Sequence, residues 1–159
     1  MNEIPTEKLL PQGLQDMLSA QRECMAQAND INNEIIDKEM KTLHLPLKAK
    51  WYEMIESLIK GAEYRGITAY WIPRLLEYAD GSKIARLAAS VLVGHPEILS
   101  LRLGQGVIVF KKYTHVKFSY GYTKRTMTFE IGSITIGKGN PEWGAPTEDV
   151  FIIKLGKRV

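Results

Sequence analysis

The sequence predicts an α+β fold: a short strand, then helices, then a β-meander curled toward a barrel, with one helix added at the N-terminus. Three observations predict it. Apolar and polar residues alternate around Leu43, Leu45 and Leu47, and again around Met127, Phe129 and Ile131, the period of half-buried strands. Trp51, Met54, Ile55 and Leu58 instead recur at helical spacing. Val150 to Leu155 is almost wholly apolar, which suits a central strand.

Each element follows in order. Residues 1–13 carry Pro5, Pro11 and Gly13 and are expected to be irregular. From Leu14 to about Lys38, Leu14, Met17, Cys24, Ala28, Ile31 and Ile35 recur at alternating steps of three and four, with Gln21 filling the gap. A lone helix of this kind cannot bury its stripe unaided. It must lie on the main domain, pair with another copy or stay partly disordered. Lys41 to Leu47 reads as a strand that ends, or lies at an edge, at Pro46. Lys48 to about Lys60 reads as a helix stopped by Gly61. Residues 62–69 read as a strand or extended loop, and Pro73 opens a helix to about Ala79. Asp80-Gly81 breaks it, and Ser82 caps a further helix from Lys83 to Val93 that stops at Gly94-His95-Pro96. Val107 to Phe110 is a strand. Val116 and Phe118 lead through a turn at Ser119–Tyr122 into the strand of Met127, Phe129 and Ile131. Ile134 and Ile136 continue that strand, and residues 137–146 form a loop punctuated by glycine and proline.

A chain of 159 residues with 45% hydrophobic content supports one domain with a real core. Cys24 is the single cysteine, so an intrachain disulfide is impossible and a reduced compartment is expected. Neither a signal peptide nor an apolar run of membrane-spanning length is legible, so a soluble cytoplasmic protein without a membrane partner is expected. Charge divides unevenly. Residues 1–39 hold three basic and eight acidic side chains, a net of −5, whereas the remainder holds 18 and 10, a net of +8. The basic part invites phosphates. His44, His95 and His115 have no metal-site spacing, so neither a metal nor a cofactor is expected. Gly104-Gln105-Gly106 lacks the third glycine of a dinucleotide fingerprint and reads as a turn.

Met40–Leu45 followed by Trp51, then Lys60-Gly61-Ala62-Glu63-Tyr64-Arg65, Tyr70-Trp71-Ile72, Gly121-Tyr122 and the run Ile136–Pro146 resemble a bacterial and phage branch of the ASCH domain family. The resemblance covers residues 40–159 and marks 1–39 as a helical extension. It implies a small PUA-like β-barrel with a cleft beside the first helix. Residues 81–106 look like a helical insertion that caps or remodels one side of that cleft. The family signature, Gly-x-Lys-x-x-Glu-x-Arg, reads here Leu58-Ile59-Lys60-Gly61-Ala62-Glu63-Tyr64-Arg65. Leucine in place of the leading glycine suggests a helix about one turn longer.

Lys60, Glu63 and Arg65 have two readings. Two cations and a carboxylate converging hold a phosphate or a base, or they form an ion pair that ties helix to strand. Trp143 and Tyr122 are the aromatic candidates for the same ligand site, by stacking on a base. Trp143 is equally a lid on the barrel end. Trp51 and Trp71 sit at core spacing, and Cys24 reads as a buried thiol. The function expected from the resemblance is an RNA- or nucleotide-binding module. Alternatives are an amidohydrolase acting on an acylated nucleoside, RNA cleavage by Lys60 and Glu63, and a phage-type accessory protein acting through protein contacts. The catalytic candidates are Lys60, as an activated base of the amidohydrolase, and Lys60 with Glu63 for RNA cleavage. Family members that deacylate N4-acetylcytidine carry threonine where Glu63 stands, so efficient deacetylation is not expected unless another hydroxyl, such as Thr68, serves. The acidic extension either folds back to weaken nucleic-acid binding or joins two copies through residues 14–38.

Overall fold

A computed structural model describes residues 11–159, apart from the side chains of residues 32–39. The expectation for residues 1–10 and the burial of Ile35 and Ile36 lie outside the described residues. The chain separates into two units at Met40/Lys41. The first holds one helix of 28 residues, α1 (Gln12–Glu39). Leu14, Met17, Cys24, Met25 and Ile31 are exposed on it, so within the single chain the Cys24 thiol is not buried as its stripe position suggested. Within its own unit the stripe has nothing to bury against among the described residues.

In the second unit, β1 (Thr42–Leu47), β5 (His115–Tyr120), β6 (Thr126–Gly137), β7 (Val150–Arg158) and β2 (Ala62–Gly66) form one five-stranded sheet in the order β1-β5-β6-β7-β2. The β1–β5 pair is parallel and the other pairs are antiparallel. The sheet is a curled half-barrel, and β6 makes the curl. Twelve residues long, β6 pairs with β5 through its first half and with β7 through its second, with register shifts at Phe129/Ile131 and Ile131/Ser133. Such irregularities bend a strand and increase its twist. Leu43, Leu45, Leu47, Val116, Phe118, Met127, Phe129, Phe151 and Ile153 point inward and are buried. Tyr52 and Ile55 of α2 (Ala49–Glu56) are buried in the same core. The apolar β7 is an inner strand between β6 and β2. Pro46 lies on the edge strand β1, where its missing N–H breaks no ladder bond.

Four sequence expectations are overturned. The helix expected from Pro73 to Ala79 is one turn, α3 (Ile72–Leu75), because Leu76–Tyr78 become β3 and pair with β4 (Ile108–Phe110) as a separate ribbon. Ser82 caps no helix: its amide donates to Asp80 Oδ1 at 2.9 Å, and α4 begins later, at Arg86–Gly94. Pro96, read as a stop, opens another helix, α5 (Pro96–Gly104), since proline is well suited to a first helical turn. The segment 81–106 thus carries two short helices between β3 and β4, seated by Ala89, Leu92 and Leu99.

The fourth concerns α2, which stops at Glu56 rather than running a turn further. Ile59 N–H donates to Met54 O at 2.9 Å and Leu58 N–H to Ile55 O at 3.0 Å. That pair of bonds is a Schellman cap, whose left-handed residue is here Leu58 at φ +61°. The leucine adopts the conformation that glycine supplies at no steric cost. The cap turns the chain sharply, so Lys60 follows within two residues and β2 within four.

Among the described residues no helix is long and apolar enough to cross a membrane.

Candidate functional site

The half-barrel leaves two edge strands, β1 and β2, and residues of both line one cleft of about 450 Å³. That is the size of a small-ligand site. Strand β1 supplies His44, Pro46 and Leu47. Strand β2 supplies Glu63, Tyr64 and Arg65, and Lys48 and Trp51 come from the start of α2. Trp71 and Arg74 come from the α3 turn with Tyr70 just before it, and the loop 137–146 adds Trp143 and Gly144.

Lys60, Glu63 and Arg65 converge here. Lys60 Nζ donates to Glu63 Oε2 at 2.7 Å, and Arg65 Nη1 donates to Glu63 Oε1. Lys60 is 2% exposed and Glu63 3%. A buried ionic group of this kind costs several kcal/mol in desolvation unless its partners are well placed. Here both carboxylate oxygens are taken, and Lys60 Nζ also lies 4.6 Å from the Trp51 ring centroid and 5.5 Å from that of Tyr64. Arg65 Nη1 also donates to Tyr64 O at 2.8 Å, and Nη2 to Pro46 O at 3.3 Å, so the guanidinium spans from β2 to β1. These bonds use three of the five N–H groups of a guanidinium. The ion pair of the structural reading is therefore present, and its three members form the floor of the cleft.

The walls are aromatic. Arg65 lies 5.3 Å from the Trp71 ring centroid, and Arg74 lies 4.6 Å from Tyr70 and 5.6 Å from Trp71. Trp51 and Trp71, expected in the core from their spacing, are half-buried and line the cleft, with Trp71 also packed against the core. Trp143 is half-buried and lines it as well. Tyr122, expected to share the ligand site, does not line it: it is 99% exposed on the β5–β6 turn. Thr68 is not in the lining either, and its Oγ1 accepts the Trp71 amide at 3.2 Å as α3 begins. No residue of 81–106 lines the cleft, so this segment does not cap it. Lys48, Tyr64, Tyr70 and Arg74 were not singled out from sequence as site residues. Tyr70 and Trp71 lay within the quoted resemblance, but nothing in their spacing separated cleft from core.

Chemically, the lining sets four cations, Lys48, Lys60, Arg65 and Arg74, against one carboxylate, Glu63, among planar rings. Such a cleft favours a ligand that is both flat and anionic. It offers no serine or threonine hydroxyl. Lys60 and Glu63 would have to break their mutual ion pair before either served as a base. Among the described residues no three His, Cys, Asp or Glu side chains cluster as metal ligands do. Comparison of the chain with protein-family models, with curated proteins and with solved structures gives no match.

Proposed function

We propose that residues 41–159 are an ASCH-like, PUA-related module that binds RNA or a nucleotide in the cleft between β1 and β2. The observation that carries this reading is the coincidence of four cations with aromatic walls around one opening of nucleotide size. A base stacks on the rings of the wall, of which Tyr70 is the most exposed, a contact worth about 1–3 kcal/mol per base. A phosphate is drawn to the guanidinium groups of Arg65 and Arg74. Glu63 orients Lys60 and Arg65 and fixes the floor. The curled half-barrel, with a cleft beside α2, supports this reading as far as a small barrel-like fold goes. The amidohydrolase reading has less support, because the lining carries no aliphatic hydroxyl and Glu63 holds both neighbouring cations. The extension has a separate role in this proposal: α1 pairs two copies through its exposed stripe.

The test titrates a labelled single-stranded oligonucleotide against the wild type and Arg65→Ala at two salt concentrations. Loss of one charge-assisted hydrogen bond should weaken binding about tenfold or more, and wild-type affinity should fall steeply with salt. Equal affinity of the two proteins would overturn the proposal.

A further inference from the structure

The outer wall of the cleft is shared with a second hollow. Beyond Tyr70 and Arg74 lies a space of about 280 Å³ walled by those two residues together with Ala69, Pro73 and Arg86. Tyr70 is 59% exposed and stands edge-on to Trp71, with ring centroids 5.0 Å apart and planes at 89°. Arg74 lies over the Tyr70 ring at 4.6 Å. Among the described residues, neither Arg74 nor Arg86 has a carboxylate partner. The surroundings of α3 are basic on a further side. The Lys111 ammonium, which donates to Pro73 O at 2.8 Å, has its pKa lowered first by burial and then by the charge of Lys41, with Lys83 and Arg74 adding to it. Only Glu77 opposes that trend.

A basic hollow that continues an aromatic, basic cleft has the form of a track rather than of a closed pocket. We propose that this second hollow seats the phosphate of the nucleotide adjoining the one held in the cleft, between Arg74 and Arg86, with Tyr70 as the stacking platform between the two. The inference rests on the nucleotide reading of the cleft and narrows it: the ligand is a single strand of at least two nucleotides rather than a free nucleoside. Arginine and tyrosine planes stack on unpaired bases while guanidinium groups take the backbone. An acidic peptide would use the charges but not the ring. Arg86 belongs to the stretch read as an insertion, so this half of the track is a feature of this chain rather than of the resemblance.

The experiment uses the full chain with two probes, uridine 5′-monophosphate and a labelled uridine tetranucleotide, against wild type, Arg86→Ala and Arg65→Ala. Arg86 is exposed, so its removal should leave thermal stability unchanged. Arg86→Ala should weaken the tetranucleotide about fivefold and make the salt dependence of log K shallower by about 0.7, the value for one phosphate on a single strand. It should leave the monophosphate unaffected. If Arg86→Ala changes neither probe while Arg65→Ala weakens both, the second hollow is not a nucleotide site and the cleft reading stands. If Arg65→Ala changes neither, or no probe binds, the cleft reading fails and this one falls with it. Displacement of the tetranucleotide by an equal concentration of oligo-aspartate would overturn the assignment to nucleic acid.

Discussion

Leu58 holds its backbone at φ +61° while its side chain is 72% exposed. A left-handed conformation costs an L-residue with a Cβ about 1–2 kcal/mol, and this exposure returns little burial against it. Glycine there would remove the strain but lose about 0.5–1 kcal/mol in backbone entropy. Leu58→Gly should therefore raise stability by about 0.5–1 kcal/mol, read as a higher urea midpoint with an unchanged slope. A lower midpoint would show that contacts of the leucine outweigh its strain. The sequence concealed this conformation for a physical reason. Leucine is among the better helix formers, and Leu58 continues the spacing of Trp51, Met54 and Ile55, so local pattern extends the helix through it. What ends the helix is the need to deliver Lys60 to the cleft and Ala62 to β2, a tertiary demand that no local spacing records. The adjacent triad was easier to read. Lys60, Glu63 and Arg65 are charged residues close in sequence around a helix-to-strand junction, and such proximity limits how far apart the fold can place them.

At the scale of elements, the loop 137–146 is fastened rather than draped. Asn140 N–H donates to the Tyr64 hydroxyl at 3.1 Å, and Asn140 Oδ1 accepts from Glu142 N at 3.0 Å to start the one-turn 3₁₀ segment Pro141–Trp143. Gly144 then turns at φ +89° directly against Trp51: a Cβ built there would stand 2.5 Å from the indole ring. Both the conformation and the space demand glycine. Gly144→Ala should cost about 2–4 kcal/mol, combining left-handed strain with overpacking. It should also shift tryptophan emission as Trp51 and Trp143 move, and weaken oligonucleotide binding with them. An unchanged melting curve would mean that the loop lifts off Trp51 without penalty. The elements that sequence made legible share one property: their period is set by a buried face that they carry themselves. The alternation of β1, β5 and the start of β6 is of this kind, and the apolar run of β7 carries its burial in the same way. Strand β3 and helix α5 were not legible, because each depends on a distant partner or on a proline with two meanings. Leu76–Tyr78 become a strand only by pairing with Ile108–Phe110, and Pro96 stops one helix while starting the next.

The whole molecule joins an acidic helical unit to a basic cleft-bearing one, a net of −5 on residues 1–39 against +8 on the remainder. Of the aromatic wall of the cleft, Trp143 was named from sequence, but Trp51 and Trp71 were not, because they occupy spacings that suit a core and only the fold decides which side they face. The stripe on α1 is a different matter. Leu14, Met17, Gln21, Cys24, Ala28 and Ile31 alternate by three and four, the 3.5-residue period that keeps one seam facing a like helix. Gln21 on that seam is the kind of polar residue that fixes register at a cost in stability. The flanking positions Leu18, Ala20, Met25 and Gln27 carry no charge to repel a second copy. An isolated helix of this composition is marginal in water, so pairing gives its exposed Met17, Met25 and Ile31 a surface to bury. The full chain should then have twice the monomer mass by light scattering, and a chain starting at Met40 should be monomeric and folded, since residues 41–159 hold their own core. The same pair of proteins tests the charge split. A tetranucleotide is too short to bridge two copies, which removes avidity from the comparison. Loss of five net negative charges should tighten its binding about threefold at 0.01 M salt, where screening reaches about 30 Å, and hardly at all at 0.15 M, where it reaches about 8 Å. The same number of chains per particle for the two proteins would rule out assembly through α1. A gain in affinity that persisted undiminished at 0.15 M salt would show that the extension blocks the cleft by contact rather than through its field.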